Sequence, residues 1–178
     1  ATTEIYTLSL HDVFRSQAIL LERRGKAFYT QVAKQTDNAD VQHIFEIMAK
    51  EEVLHEKFLS NQYKAYEKEG KFADVDLPKE EEDGIANLVL SKDMKASIEA
   101  ASFEAAAISA AIDMETKAIK VYADQAEAAT DPKEKALYEW LSDWEKTHHK
   151  ILFELDEDLK QRDRKSTRLN SVTWPSRM

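Results

Sequence analysis

The strongest constraint on this chain is a set of charged residues that occurs twice at fixed intervals. Glu22 precedes Glu52 by 30 residues, with His55 three further on, and Glu115 precedes Glu145 and His148 by the same intervals. Each member of the second set follows its counterpart by 93 residues. The repeat extends to apolar positions, since Leu21 to Tyr29 aligns with Met114 to Tyr122, and Ile44-Phe45 with Leu137-Tyr138. Each half therefore reads as one helical hairpin with a Glu on its first helix and a Glu-x-x-His on its second. A Glu and a His three apart share one helix face, so both can hold the same ion. Together the two halves supply the ligand set of a carboxylate-bridged dimetal site within a four-helix bundle.

The spacing suits that geometry. From Glu22 to the turn signal Asp37-Asn38-Ala39-Asp40, and from there to Glu52, are arms of about 20 Å at roughly 1.5 Å per residue, so both glutamates reach similar height in an antiparallel pair. The second half repeats this around Thr130-Asp131-Pro132, where Thr130 or Asp131 can cap and Pro132 suits the first helical position. The six residues also fall on apolar stripes at helical period. Phe14, Ala18, Leu21, Gly25, Tyr29 and Val32 surround Glu22; Val41, Phe45, Met48, Leu59 and Tyr63 surround Glu52 and His55. Ile98, Ala101, Ala105, Ile108, Ile112, Ile119 and Tyr122 form a stripe that Glu115 interrupts; Ala136, Leu141, Leu152, Leu155 and Leu159 frame Glu145 and His148. Carboxylates buried on such stripes cost several kcal/mol each unless compensated. Two divalent cations balance four carboxylates, with both imidazoles neutral.

Internal symmetry sorts the neighbouring candidates. Glu51 is four residues before His55, but its counterpart is Trp144, which cannot ligate, so Glu51 is expected off the site. His149 has Glu56 as its counterpart and is expected to face water. His11 and His43 have no matching partners and read as surface or helix-start residues. Tyr29 and Tyr122, each seven residues after a candidate glutamate, can hydrogen-bond ligands or donate electrons, with packing the expected role. Glu104 is a candidate for lining an access path.

Only three Gly and three Pro in 178 residues favour long helices over sheet, and the length suits one domain. No run of 18 apolar residues and no charged-then-apolar leader is visible, so neither a membrane span nor a signal peptide is expected and the chain reads as cytoplasmic. The absence of Cys excludes disulfides, thiol catalysis and Cys-based zinc or iron–sulfur sites. A net charge of -9 argues against a nucleic-acid partner and favours cations.

The predicted fold is all-α, an antiparallel four-helix bundle of two duplicated hairpins joined by a long crossover. Its helices are expected over 10–36, 40–68, 97–129 and 132–160, with a capping box at Ser9 and Asp12. The connection, 69–96, contains the acidic run Glu80 to Asp83, read as a solvated surface. The first domain is read as 1–162. The remainder, 163–178, resembles the translated read-through of a sequencing adapter from Asp163 to Ser171 and again over Ser176 to Met178. It is expected to be non-native, and no function is read from it.

These residues bring the chain close to the ferritin-like superfamily, and specifically it resembles rubrerythrin-type proteins over residues 10–160. The likeness rests on the duplicated Glu and Glu-x-x-His and on stretches such as Phe103 to Ala111 and Lys135 to Leu141. It implies a centre of two iron ions that handles oxygen or hydrogen peroxide. Carried over, Glu52 and Glu145 would bridge the metals, Glu22 and Glu115 would be terminal, and His55 and His148 would each bind one ion. Carboxylate and imidazole suit manganese as well as iron. Two departures stand out. The chain lacks the Cys-rich rubredoxin module of full rubrerythrins, so an external electron donor is implied. It also has Ala118, with Gly25 as its equivalent, where rubrerythrins carry an additional glutamate. The 4-Glu/2-His set is closer to a bacterioferritin-type ferroxidase centre. The expected activity is that of a peroxidase or ferroxidase in a homo-oligomer; the alternative is a protein that binds or sequesters iron without turnover.

Overall fold

A computed structural model describes residues 10–74, 76–77, 84–99 and 102–172. Ser9 and the acidic run Glu80 to Asp83 lie outside them, as do Ala101 and the side chain of His11. Among the described residues there is no strand; the chain is all-α. Four long helices carry it: α1 (Leu10–Gln35), α2 (Ala39–Glu69), α4 (Phe103–Ala128) and α5 (Pro132–Val172), with a short α3 (Lys92–Ser97) in the crossover. α1 packs on α2 and α4 on α5, so each half is a hairpin.

Local chemistry sets the helix ends. Asn38 Oδ1 accepts from the amides of Asp40 and Val41 at 3.0 and 3.1 Å and so starts α2. Gly70 ends it in the left-handed region, φ 70°, where a side chain is disfavoured, and its amide donates to Tyr66 O. Asp131 Oδ1 accepts from the Lys133 amide at 2.8 Å, with Pro132 as the first residue of α5.

Three expectations are corrected. The third long helix starts at Phe103 rather than near 97, because Ser102 caps it, accepting from the Ala105 amide at 3.2 Å. Ile98 is buried, but on extended backbone ahead of that helix. Ala136 is exposed, and Leu137 and Tyr138 face the core in its place. The last helix continues past 160, since no Gly or Pro interrupts residues 133–174. In that extension Arg162 donates to Ile98 O at 2.8 Å and to Ala96 O at 3.4 Å, tying α5 to the end of the crossover.

The crossover is fastened elsewhere too. Gln62 exchanges two hydrogen bonds with the backbone of Ala73, Phe72 and Ile85 are fully buried, and Asn38 Nδ2 donates to Ser97 O and Oγ.

The core divides into two apolar clusters. One gathers Tyr29, Phe45, Met48, Ile108, Ala111, Leu152 and Leu155; the other gathers Ala18, Leu59, Tyr63, Tyr122, Tyr138 and Leu141. On every long helix the candidate ligands lie between a member of one cluster and a member of the other. A layer of charge thus crosses the bundle between two hydrophobic ends.

Candidate metal centre

The structure brings all six sequence-predicted residues together in that layer. Glu22 on α1, Glu52 and His55 on α2, Glu115 on α4, and Glu145 and His148 on α5 are each at most 3% exposed. They form two groups whose ligand atoms lie within 4.8 Å of one another, Glu22, Glu52, His55 and Glu145 in one, Glu52, Glu115, Glu145 and His148 in the other. Glu52 and Glu145 belong to both.

Their orientation is reciprocal. His55 Nδ1 faces Glu22 Oε2 at 3.1 Å, Glu145 Oε1 at 3.3 Å and Glu52 Oε2 at 3.7 Å. His148 Nδ1 faces Glu145 Oε2 at 3.2 Å, Glu115 Oε1 at 3.4 Å and Glu52 Oε1 at 3.6 Å. Glu52 and Glu145 therefore each turn one oxygen toward each histidine. The imidazoles lie nearly parallel, 5.9 Å apart.

Tyr29 and Tyr122 do more than pack. Tyr29 donates its hydroxyl to Glu115 Oε1, and Tyr122 donates to Glu22 Oε1, each reaching the opposite hairpin. Burial, then the nearby carboxylates, push both phenols well above their ordinary range, so they remain donors.

The electrostatics show a site compensated by protons. Burial and then the charges of Glu145 and Glu22 raise Glu52; burial and then Glu145 raise Glu115 to about 8. Burial opposes charge on both imidazoles, yet the carboxylates prevail and raise them, chiefly Glu145 at His55 and Glu115 at His148. Burial would also raise Glu145, but both histidines pull it below the usual carboxylate range. The buried His148 Nδ1 and Glu145 Oε2 have no hydrogen-bond partner, and four convergent carboxylates with two imidazoles are the donor set that divalent first-row metals take. The residues fit a pair of such ions.

A cavity of about 410 Å³ opens onto the layer. Glu22, Glu52, Glu115 and Glu145 line it, together with Gly25, Tyr29 and Ala118, and neither histidine does. Gly25 is there for space, because a Cβ would stand 3.0 Å from Glu52 Cδ.

Glu51 departs from its expected place. It is buried beside the site, with Oε2 2.6 Å from His148 Nε2. Burial would raise its pKa, but hydrogen bonds from His148, the Ile85 amide and Trp144 lower it. Its spacing of four from His55 was the available signal; its partner is the other histidine. His43 is exposed, and His149 stacks on Phe153 at 5.8 Å outside the layer. Glu104 accepts from Thr36 Oγ1 at 2.7 Å and does not line the cavity.

Comparison with known proteins agrees with the geometry. The sequence model of the family described as Rubrerythrin matches residues 16–156 and, in a second overlapping match, 106–173. No curated protein and no solved structure matches the chain. No helix among the described residues is long and apolar enough to cross a membrane.

Proposed function

The chain belongs to the rubrerythrin family, and from that premise we propose that it is a non-haem diiron oxidoreductase that reacts with hydrogen peroxide or oxygen and oxidises Fe(II). The observation that supports this most is the reciprocal aim of Glu52 and Glu145, one oxygen toward each histidine. In this reading Glu52 and Glu145 would hold both ions, with Glu22 and His55 completing one position and Glu115 and His148 the other. A bound iron pair would supply the two electrons that reduce peroxide or oxygen.

The chain's own residues prepare the site for that chemistry. Tyr122 engages Glu22 Oε1 and leaves Oε2, the oxygen facing His55, for an ion, whereas Tyr29 engages Glu115 Oε1, the same oxygen that faces His148. Gly25 and Ala118 leave the cavity open on the carboxylate side, where a small oxidant can reach the centre. The apolar clusters above and below exclude water, which strengthens every charge interaction in the layer. With no Cys in the chain, electrons for repeated turnover come from an external donor. Iron is preferred here to manganese on family grounds, since the donor set suits both. Assembly as a homo-oligomer, and activity residing in residues 1–162 with none in 163–178, belong to the same proposal.

Stopped-flow absorbance of the Fe(II)-loaded protein, mixed with peroxide or with oxygen, tests it. One rapid oxidation per site is expected, followed by slow re-reduction unless a donor protein is added. A loaded protein inert to both oxidants would instead mark a chain that binds iron without turnover.

A further inference from the structure

Among the positions where the two halves of the centre differ, one pair meets at the outer nitrogen of a histidine. Glu51 on α2 and Trp144 on α5 stand 93 residues apart, the period of the repeat, and they meet: Trp144 Nε1 donates to Glu51 Oε2 at 3.1 Å. The same oxygen lies 2.6 Å from His148 Nε2, and Glu51 Oε1 accepts from the Ile85 amide at 2.9 Å. One side chain, Trp144, and one backbone amide, that of Ile85, thus hold a buried carboxylate against the outer nitrogen of His148. Beside His55 the equivalent place is taken by an indole. His55 sits edge-on to Trp144 at 5.1 Å and to Trp140 at 5.5 Å, and its Nε2 is buried without a hydrogen-bond partner.

A ligand imidazole that donates its outer N–H to a carboxylate is fixed in tautomer and orientation and is a stronger electron donor to the metal; loss of such a partner costs about 10- to 100-fold in metal affinity. We infer that Glu51 is a positioning residue that makes the two metal positions unequal. The position built from Glu115 and His148 binds more tightly and fills first; the one built from Glu22 and His55 fills second. The inference rests on the dimetal reading above. It assigns the inequality to the second-position residue of the repeat, because Glu52 and Glu145 serve both positions and the remaining ligands are matched pair by pair. The Ile85 amide anchors Glu51 to the crossover, so the carboxylate is in place before any ion arrives.

Anaerobic Co(II) titration of the metal-free protein, followed by visible absorption and calorimetry, tests this. Two equivalents should bind in two steps, the first about tenfold or more tighter. Glu51→Gln keeps the size of the side chain and removes its charge. It should weaken the first step by about tenfold or more and leave the second within about twofold. His55→Ala should retain the tight step and His148→Ala only the weak one, a check that does not depend on any Glu51 variant folding. Equal steps in the unsubstituted protein would overturn the inference, as would Glu51→Gln weakening both steps alike or His55→Ala losing the tight step. Failure to take up Co(II) at all would overturn the dimetal reading with it.

Discussion

Gly25→Ala separates what the fold needs from what the site needs. Gly in mid-helix costs about 1 kcal/mol relative to Ala, so on propensity alone the substitution stabilises α1. Against that, the new Cβ would stand 3.0 Å from Glu52 Cδ and 3.2 and 3.3 Å from its two oxygens. Overpacking of this kind costs about 1–3 kcal/mol when the neighbour cannot yield. In the metal-free protein Glu52 can yield, since the contact is with the end of its side chain. The helix gain of about 1 kcal/mol then remains, and the melting temperature should rise by no more than about 4 °C, given roughly 2–4 °C per kcal/mol for a chain of this length. In the loaded protein Glu52 must keep one oxygen on each ion and has no freedom to move. The full overpacking cost then falls on metal binding, about 5- to 150-fold in affinity. Calorimetric titration with Co(II), beside thermal melts of the metal-free form, reads both quantities. A variant that binds both equivalents with unchanged affinity would refute the placement of Glu52 between the metals.

Metal affinity should also rise with pH. His55, His148, Glu52 and Glu115 all have raised pKa values in the metal-free site, Glu115 to about 8, and each must lose its proton to ligate. Protons therefore compete below these values, and binding should strengthen as pH rises toward about 8 while releasing protons, which titrations in buffers of different ionisation enthalpy detect; a pH-independent affinity would contradict the proton-compensated layer. Glu52→Ala and Glu145→Ala should each abolish uptake of a coupled pair, because both residues belong to both ligand groups, whereas Glu22→Ala should cost chiefly one position. Metal content and paired-ion spectroscopy distinguish these outcomes, and equal losses in all three variants would show the bridging assignment to be wrong.

Much of this was legible in the sequence because the repeat carries both fold and chemistry. Helices one and two lay within a residue of their predicted bounds, since Asn38 and Gly70 are strong local end signals. The break before Phe103 was not legible: Ile98 continues the apolar period of that helix, yet it is buried from extended backbone that the cap at Ser102 separates from it. The six candidate residues were nameable because a period of 93 acts on every one of them. Glu51 was misplaced for the same reason. Symmetry says what each half shares, and Glu51 and Trp144 are where the halves differ, so their contact across the layer is invisible to a comparison of one half with the other. Hydrogen bonding by Tyr29 and Tyr122 was open from the sequence, but their partners were hidden, because each bond joins residues on different hairpins whose relative placement no local spacing fixes.

Anaerobic loading of the metal-free protein with Fe(II), removal of unbound metal, and metal analysis paired with a thermal melt address the central claim most directly. Four buried carboxylates in one layer are relieved by two cations, so two iron ions per chain are expected. In a melt run before that removal, free Fe(II) at about 100 times Kd stabilises by about 2.7 kcal/mol, a rise of roughly 5–10 °C in melting temperature. Less than one iron per chain, with the melting temperature unmoved, would contradict the dimetal centre.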